Sequence, residues 1–163
     1  VAVIEFFDYQ CVFCSRFAPE LEKVMKAQPD VRYLFKEWPI FGGRWEASLQ
    51  AAQQGLTVWQ KKGPQAYVTY HNAIYATGHN EGKLTAEDIH GAASKAGLTT
   101  PAPGDHTASL EKNSNLAEAL GLTGTPGIIV MPVSGATPDT ITVFPEAVTA
   151  ERLQAAILKA TAR

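Results

Sequence analysis

The chain opens on an apolar run, Val1 to Phe7 (VAVIEFF), that leads through a three-residue turn into a C-x-x-C pair, Cys11-Val12-Phe13-Cys14. A short, continuous, β-favouring run of this kind suits a central strand covered on both faces. From Cys11 to about Gln28 the pattern turns helical, with Phe17, Leu21, Val24 and Met25 on one face. Pro19 falls inside this helix, removes one backbone hydrogen bond and predicts a kink soon after the cysteines. Pro29-Asp30 ends the helix, and Val31 to Lys36 (VRYLFK) reads as a second strand. A right-handed crossover would make the two strands parallel. The cysteines then lie at the C-terminal end of the first strand, where open α/β sheets place reactive groups.

Cys11 and Cys14 are the only cysteines in the chain. A dithiol at a strand-to-helix junction points to redox chemistry. The helix start carries unpaired N–H groups and the positive end of the macrodipole, and both favour a thiolate. The thiolate is the form that attacks disulfides. Other uses of the pair fit less well. Structural zinc takes four Cys or His ligands, and His71, His79, His90 and His106 show no short ligand spacing. A c-type haem site needs His after the second cysteine, where this chain has Ser15. A passive disulfide would close so small a loop that it removes little unfolded-state entropy.

The 163 residues fit one domain, or one domain with a sizeable insertion. A net charge of −2 without a basic run argues against nucleic acid and anionic membranes as partners. No apolar stretch has the length of a membrane span. The chain begins directly on its first strand with no signal peptide, and an N-terminal segment is expected to precede it in the full protein. The middle, residues 44–103, reads as a helical insertion. Glu46 to Gly55 is Ala/Gln-rich, Pro64 to Ala76 carries Tyr67, Tyr70, Ile74 and Tyr75, and a third helix starts at a Thr85/Asp88 capping box and ends at Gly97. The aromatic residues read as a small helical core. A loop with Pro101 and Pro103 follows, then a helix from an Asp105 N-cap to Leu120. Gly127–Met131 and Thr140–Phe144 predict a hairpin, and Thr149 caps a last helix from Ala150 to Thr161. The fold class is α/β.

This order, with CVFC at the first strand–helix junction, resembles the thioredoxin fold, a central mixed sheet flanked by helices, with an inserted helical domain. Residues 1–43 and 104–163 would form the thioredoxin-like domain. The stretch CVFCSRFAP adds weight, since a proline five residues after the second cysteine recurs in such active-site helices. The segments IEFFDYQCVFC, FKEWPIFGG and GLTGTPGIIV resemble the DsbA-like branch of bacterial extracytoplasmic thiol–disulfide oxidoreductases. BdbD, Com1 and ScsC type proteins look nearest, and the catalytic domains of DsbC and DsbG type isomerases more distant. The dipeptide Val12-Phe13 departs from the Pro-His of DsbA, and Thr125 before the proline is as in several isomerases.

The residue roles follow. Cys11, nearer the turn, would be the nucleophile, and Cys14, one helical turn inward, the buried resolving thiol. Glu5 lies between Ile4 and Phe6 in an apolar strand. A carboxylate there costs free energy unless paired or protonated, and desolvation should raise its pKa. The resemblance implies a proton relay for Cys14, because DsbA-like proteins carry a buried acid six residues before the first cysteine. Lys36, at the end of the second strand, reads either as the charge partner of Glu5 in the proton relay or as a solvated strand-end lysine. Val12 and Phe13 bring no charge to the sulfurs, so a moderately lowered thiol pKa is expected, and Phe13 offers unfolded substrates an apolar contact. The fold's second signature, a cis-proline, is expected at Thr125-Pro126. It would keep metals from the sulfurs, while the Thr125 backbone pairs with an extended substrate.

The implied function is thiol–disulfide exchange on unfolded or misfolded secreted proteins, as oxidase or isomerase, in the periplasm or another extracytoplasmic space. The only redox group would be the Cys11–Cys14 disulfide, with no cofactor and no metal. A membrane partner of the DsbB or DsbD type would reset it, and a preceding segment could make a homo-oligomer. The alternative is a periplasmic thioredoxin-like protein that handles Cu(I), a soft ion suited to two thiolates.

Overall fold

The computed structural model describes residues 1–100 and 104–161. The predicted loop prolines Pro101 and Pro103 lie outside the described residues. Strand β1 spans Ala2–Phe7, helix α1 Val12–Ala27 and strand β2 Arg32–Glu37. Helices α2 (Glu46–Lys62), α3 (Pro64–Ala76) and α4 (Ala86–Lys95) follow, then α5 (Thr107–Ala119). Strands β3 (Gly127–Met131) and β4 (Thr142–Phe144) and helix α6 (Ala150–Thr161) complete the order.

The four strands form one mixed sheet in the order β2-β1-β3-β4. β1 runs parallel to β2 and antiparallel to β3, and β4 closes an antiparallel hairpin. Side chains alternate across a sheet, and β1 sorts its residues accordingly. Val3 packs with Phe17, Leu21 and Val24 of α1 and with Leu153 and Ile157 of α6. Phe6 faces the other way, toward Trp38, Ala117 of α5, Leu122 and Ile129. Helices thus cover both faces of β1, which is why its sequence is apolar throughout.

Helices α2, α3 and α4 share a core that continues into the sheet. Phe7, Tyr9, Cys11 and Cys14 belong to the same cluster as Ala51, Val58, Tyr67, Tyr70, Ile74 and Ile89. The predicted aromatic core of the helical segment therefore abuts the dithiol. The Thr85/Asp88 capping box closes α4 with both of its hydrogen bonds.

Several predicted bounds shift for local reasons. Strand β2 extends to Glu37. Helix α2 runs through Gly55 to Lys62 and stops at Gly63, whose φ is 88°. The N-cap of α5 is His106 and makes no side-chain cap bond. Asp105 accepts the Thr107 N–H at 3.0 Å from one residue further out. β4 starts at Thr142 because Thr140 is spent on a turn, accepting the Thr137 N–H through its hydroxyl at 2.9 Å. Among the described residues no helix is long and apolar enough to cross a membrane.

Candidate active site: a dithiol at the start of the first helix

Cys11 is the N-cap of α1, with extended backbone, and its Sγ accepts the Cys14 N–H at 3.3 Å. A sulfur thus fills the place that Ser, Asp or Asn oxygens commonly hold, satisfying one orphan donor of the helix. The same field favours negative charge on that sulfur. Both cysteines are free thiols. Cys11 is 3% exposed and Cys14 is fully buried. The expected order of exposure holds, but Cys11 is far less open than a turn residue suggests, because it is packed into the core shared with the helical insertion.

The Thr125–Pro126 peptide bond is cis. The segment lies against Cys11, with the Thr125 carbonyl 3.4 Å from Sγ. The Thr125 hydroxyl is buried without a conventional partner, so a Cys11 thiolate would offer it an acceptor. Val12 is half-buried and Phe13 is 54% exposed. The Arg16 guanidinium lies 5.5 Å from the centre of the Phe13 ring.

The two thiols are pushed apart in acidity. Hydrogen bonding from the Cys14 thiol, helped by the Thr125 side chain and the Cys14 and Phe13 N–H groups, lowers Cys11 to about 6 against the opposing effect of burial. Burial pushes Cys14 well up, aided by its hydrogen bond to Cys11 and by the negative charge of Glu5 and of Cys11. Cys11 is therefore the thiolate near neutral pH and Cys14 the thiol.

Glu5 is buried with Oε1 unpartnered. Burial, then the charges of Cys11 and Glu37, raises its pKa well above the usual carboxylate range. The candidate partner Lys36 does not meet it. In the parallel register Glu5 pairs with Phe35, whereas Lys36 pairs with Phe6. Lys36 thus projects from the opposite face of the sheet. The correction is one of parity: one residue of register moves a side chain through the sheet.

Glu37, next in sequence, takes the inner face. It pairs with Phe7 and is buried. Its Oε2 accepts hydrogen bonds from the Tyr9 hydroxyl at 2.8 Å and from the Tyr67 hydroxyl. Oε1 has no partner. Burial raises its pKa to about 8, against the two tyrosines. The sequence pattern did not single out Glu37, since an acid at a strand end normally faces water. Its burial follows from the tyrosines of the insertion, which are distant in sequence.

The turn before the dithiol is also built in. Asp8 is buried and its carboxylate accepts from the Gln10 N–H, the Ser48 hydroxyl and the Phe41 N–H at 2.8, 2.9 and 3.0 Å. Burial nonetheless raises its pKa. The Tyr75 hydroxyl donates to the Asp8 carbonyl at 3.1 Å. Gln10 reaches into the insertion through its side chain, accepting from Gly82 and Leu84 N–H. Among the described residues no group of three or more His, Cys, Asp or Glu side chains is placed to hold a metal.

Comparison with known proteins agrees with this geometry. The family model described as a DSBA-like thioredoxin domain matches residues 2–157. BcfH of Salmonella enterica Typhimurium is 40% identical, with a TM-score of 0.84 over 99% of this chain and 70% of that one. The catalytic domain of Proteus mirabilis ScsC is 27% identical, with a TM-score of 0.81 over 99% of this chain and 84% of that one. A periplasmic thioredoxin-like protein from Salmonella enterica serovar Typhimurium is 29% identical, with a TM-score of 0.80 over the same shares. No curated protein matches the chain. With the family model matching almost from end to end and the mixed sheet carrying a C-x-x-C helix cap, the chain belongs to the DSBA-like thioredoxin domains.

Proposed function

We propose that the protein exchanges disulfides with secreted protein substrates through Cys11 and Cys14, as an extracytoplasmic oxidoreductase. The observation that carries this reading is the divergence of the two sulfurs, one a helix-capping thiol lowered to about 6 and the other buried and raised.

In the oxidising direction a substrate thiolate attacks Cys11 Sγ of the Cys11–Cys14 disulfide. The S–S bond breaks, Cys14 leaves with the electron pair, and a mixed disulfide joins Cys11 to substrate. Cys14 must then gain a proton, because its buried thiolate is disfavoured. Glu5, held toward its neutral form by burial, is the donor in this reading. A second substrate thiolate attacks the substrate sulfur and expels Cys11 as thiolate. Two electrons pass from the substrate dithiol to the enzyme disulfide. One proton ends on Cys14; the Cys11 thiolate persists above pH 6. Run in reverse, the Cys11 thiolate attacks a substrate disulfide, which serves isomerisation.

A stable Cys11 thiolate favours the reduced enzyme and hence an oxidising poise. A value of about 6 lies between the ~7 of thioredoxin and the ~3.5 of DsbA, so the poise should be intermediate. The exposed Phe13 ring beside Cys11 supplies an apolar contact for unfolded chains, and the Thr125 backbone can pair with an extended substrate. A membrane partner of the DsbB or DsbD type and self-association through a segment outside this chain complete the proposal; BcfH is itself longer than this chain. The Cu(I)-handling alternative rests on the two thiols alone.

Insulin reduction, assayed beside the refolding of reduced and of scrambled ribonuclease, tests the reading. Oxidation of reduced ribonuclease marks an oxidase, and rescue of scrambled ribonuclease marks an isomerase. Inactivity in all three assays would overturn it.

A further inference from the structure

A loop of the helical insertion, Asn80 to Leu84, lies across the turn that feeds the dithiol. The Glu81 N–H donates to the Gln10 carbonyl at 2.9 Å. The Gly82 and Leu84 N–H groups donate to Gln10 Oε1 at 2.8 and 3.2 Å. The Glu81 carboxylate then accepts the Val12 N–H at 3.1 Å. Val12 is the first residue of α1 and follows Cys11 directly. An acid from a distant loop therefore occupies one of the N–H groups at the very terminus whose field stabilises the Cys11 thiolate.

The Glu81 backbone is set for this contact. Its φ is 53°, the one positive value at a non-glycine among the described residues. That conformation is unfavourable for a residue with a Cβ and persists where its surroundings fix it. Here the buried Gln10 fixes it, through its own carbonyl and side-chain oxygen. Glu81 itself is exposed. Among the described residues no ion pair joins it to a cation. The other charged or titratable groups around this helix start are Cys14 and Arg16 on α1, Glu5 on β1, Glu37 on β2, Asp8 and Tyr9 in the turn, Tyr75 on α3, and Lys83 two residues after Glu81. Burial holds Glu5, Asp8 and Cys14 toward their neutral forms, which leaves Glu81 as the exposed acid of the group.

We propose that Glu81 is a positioning residue for disulfide exchange: its carboxylate pins the insertion loop to the first N–H of α1 and sets a negative charge beside Cys11 that moderates the thiolate. The protein is thereby a weaker oxidant than the bare helix terminus would make it. The inference rests on Cys11 as the nucleophile.

The test uses the reduced wild-type protein, Glu81→Gln and Glu81→Asn. Asn tolerates the left-handed backbone, so it guards against a folding defect in the first variant. Thiolate absorbance against pH gives the Cys11 pKa, and equilibration with glutathione gives the poise. Loss of the charge should lower the Cys11 pKa by about half a unit in both variants. It should shift the glutathione equilibrium about threefold toward reduced enzyme. In 1 M salt, where the screening length is about 3 Å, most of the difference should vanish. A purely structural cap would leave the pKa unchanged at low salt, or would shift it equally at both ionic strengths; either result overturns the role of Glu81. If the wild-type protein itself shows no low-pKa thiol and no exchange with glutathione, the functional reading falls first.

Discussion

At the scale of single residues, reactivity is set by where two identical side chains sit on one helical turn. Cys11 caps the helix and Cys14 points into the core. Alkylation of the reduced protein at limiting reagent should therefore label Cys11 first, with a midpoint near pH 6. Cys11→Ser should abolish exchange, while Cys14→Ser should accumulate mixed disulfides with substrate on a denaturing, non-reducing gel. Preferential labelling of Cys14 would reverse the roles. Glu5→Gln should slow the steps in which Cys14 gains or loses its proton, about tenfold or more, and should leave the Cys11 pKa nearly unchanged, because burial already holds Glu5 neutral where Cys11 ionises. Stopped-flow exchange rates across pH 5–8 check this, and unchanged rates would reduce Glu5 to a strand residue. These groups were legible in the sequence because each breaks a local pattern: a C-x-x-C at a junction, an acid inside an apolar run, a Thr-Pro before a buried strand. Lys36 was misplaced because the face a strand-end residue takes depends on register, which β1 and its neighbours settle together. Glu37 and Glu81 matter through partners 30 and 69 residues away in sequence, and no local pattern marks them.

At the scale of elements, helix α2 must come close to the sheet for Tyr9, Tyr70 and Glu37 to meet. Gly55 makes that approach possible. A Cβ added there would sit 2.8 Å from Glu37 Oε2, 3.0 Å from Tyr70 Cε1 and 3.2 Å from the Tyr9 hydroxyl. Gly55→Ala should therefore destabilise by about 1–3 kcal/mol through overpacking, although alanine is the better helix former by about 1 kcal/mol. Gly91 in α4 is the matched control: it is exposed, and an added Cβ meets nothing within 4 Å. Gly91→Ala should stabilise by up to about 1 kcal/mol. Urea midpoints of the two variants measure the contrast, and equal midpoints would mean that α2 can shift to make room. The sequence showed that this segment was helical and Ala/Gln-rich. It did not show that the glycine inside the helix is a contact point, because a close approach of two elements leaves no periodicity of its own.

At the scale of the whole molecule, the seam between the sheet and the insertion holds buried ionisable groups whose protons are linked to folding. Glu37 is raised to about 8 and Glu5 is raised as well, both first by burial. A carboxyl with a raised folded pKa binds its proton more tightly in the native state. Its contribution is complete below the unfolded pKa of about 4.3 and is lost as pH rises through the folded value. His71, buried among Phe7, Phe35 and Tyr75, is lowered to about 4 and acts with the opposite sign. It contributes above its unfolded pKa of about 6.5 and loses that as pH falls through 4. Between roughly pH 4.5 and 6.5 the histidine offsets one carboxyl; above 6.5 that offset ends, and stability should fall more steeply toward pH 8. The cysteines must be removed to see this, because the lowered Cys11 adds stability as pH rises from about 6 toward its unfolded 8.5. In a Cys11→Ser, Cys14→Ser background, the slope of unfolding free energy against pH should steepen near pH 6.5. Adding Glu37→Gln should then remove one proton from that slope, up to about 1.4 kcal/mol per pH unit. Urea unfolding at half-unit intervals from pH 5 to 8 measures it. An identical slope with and without the Glu37 carboxyl would show that the group is already ionised in the fold, and that the tyrosines, not its proton, hold it in the seam.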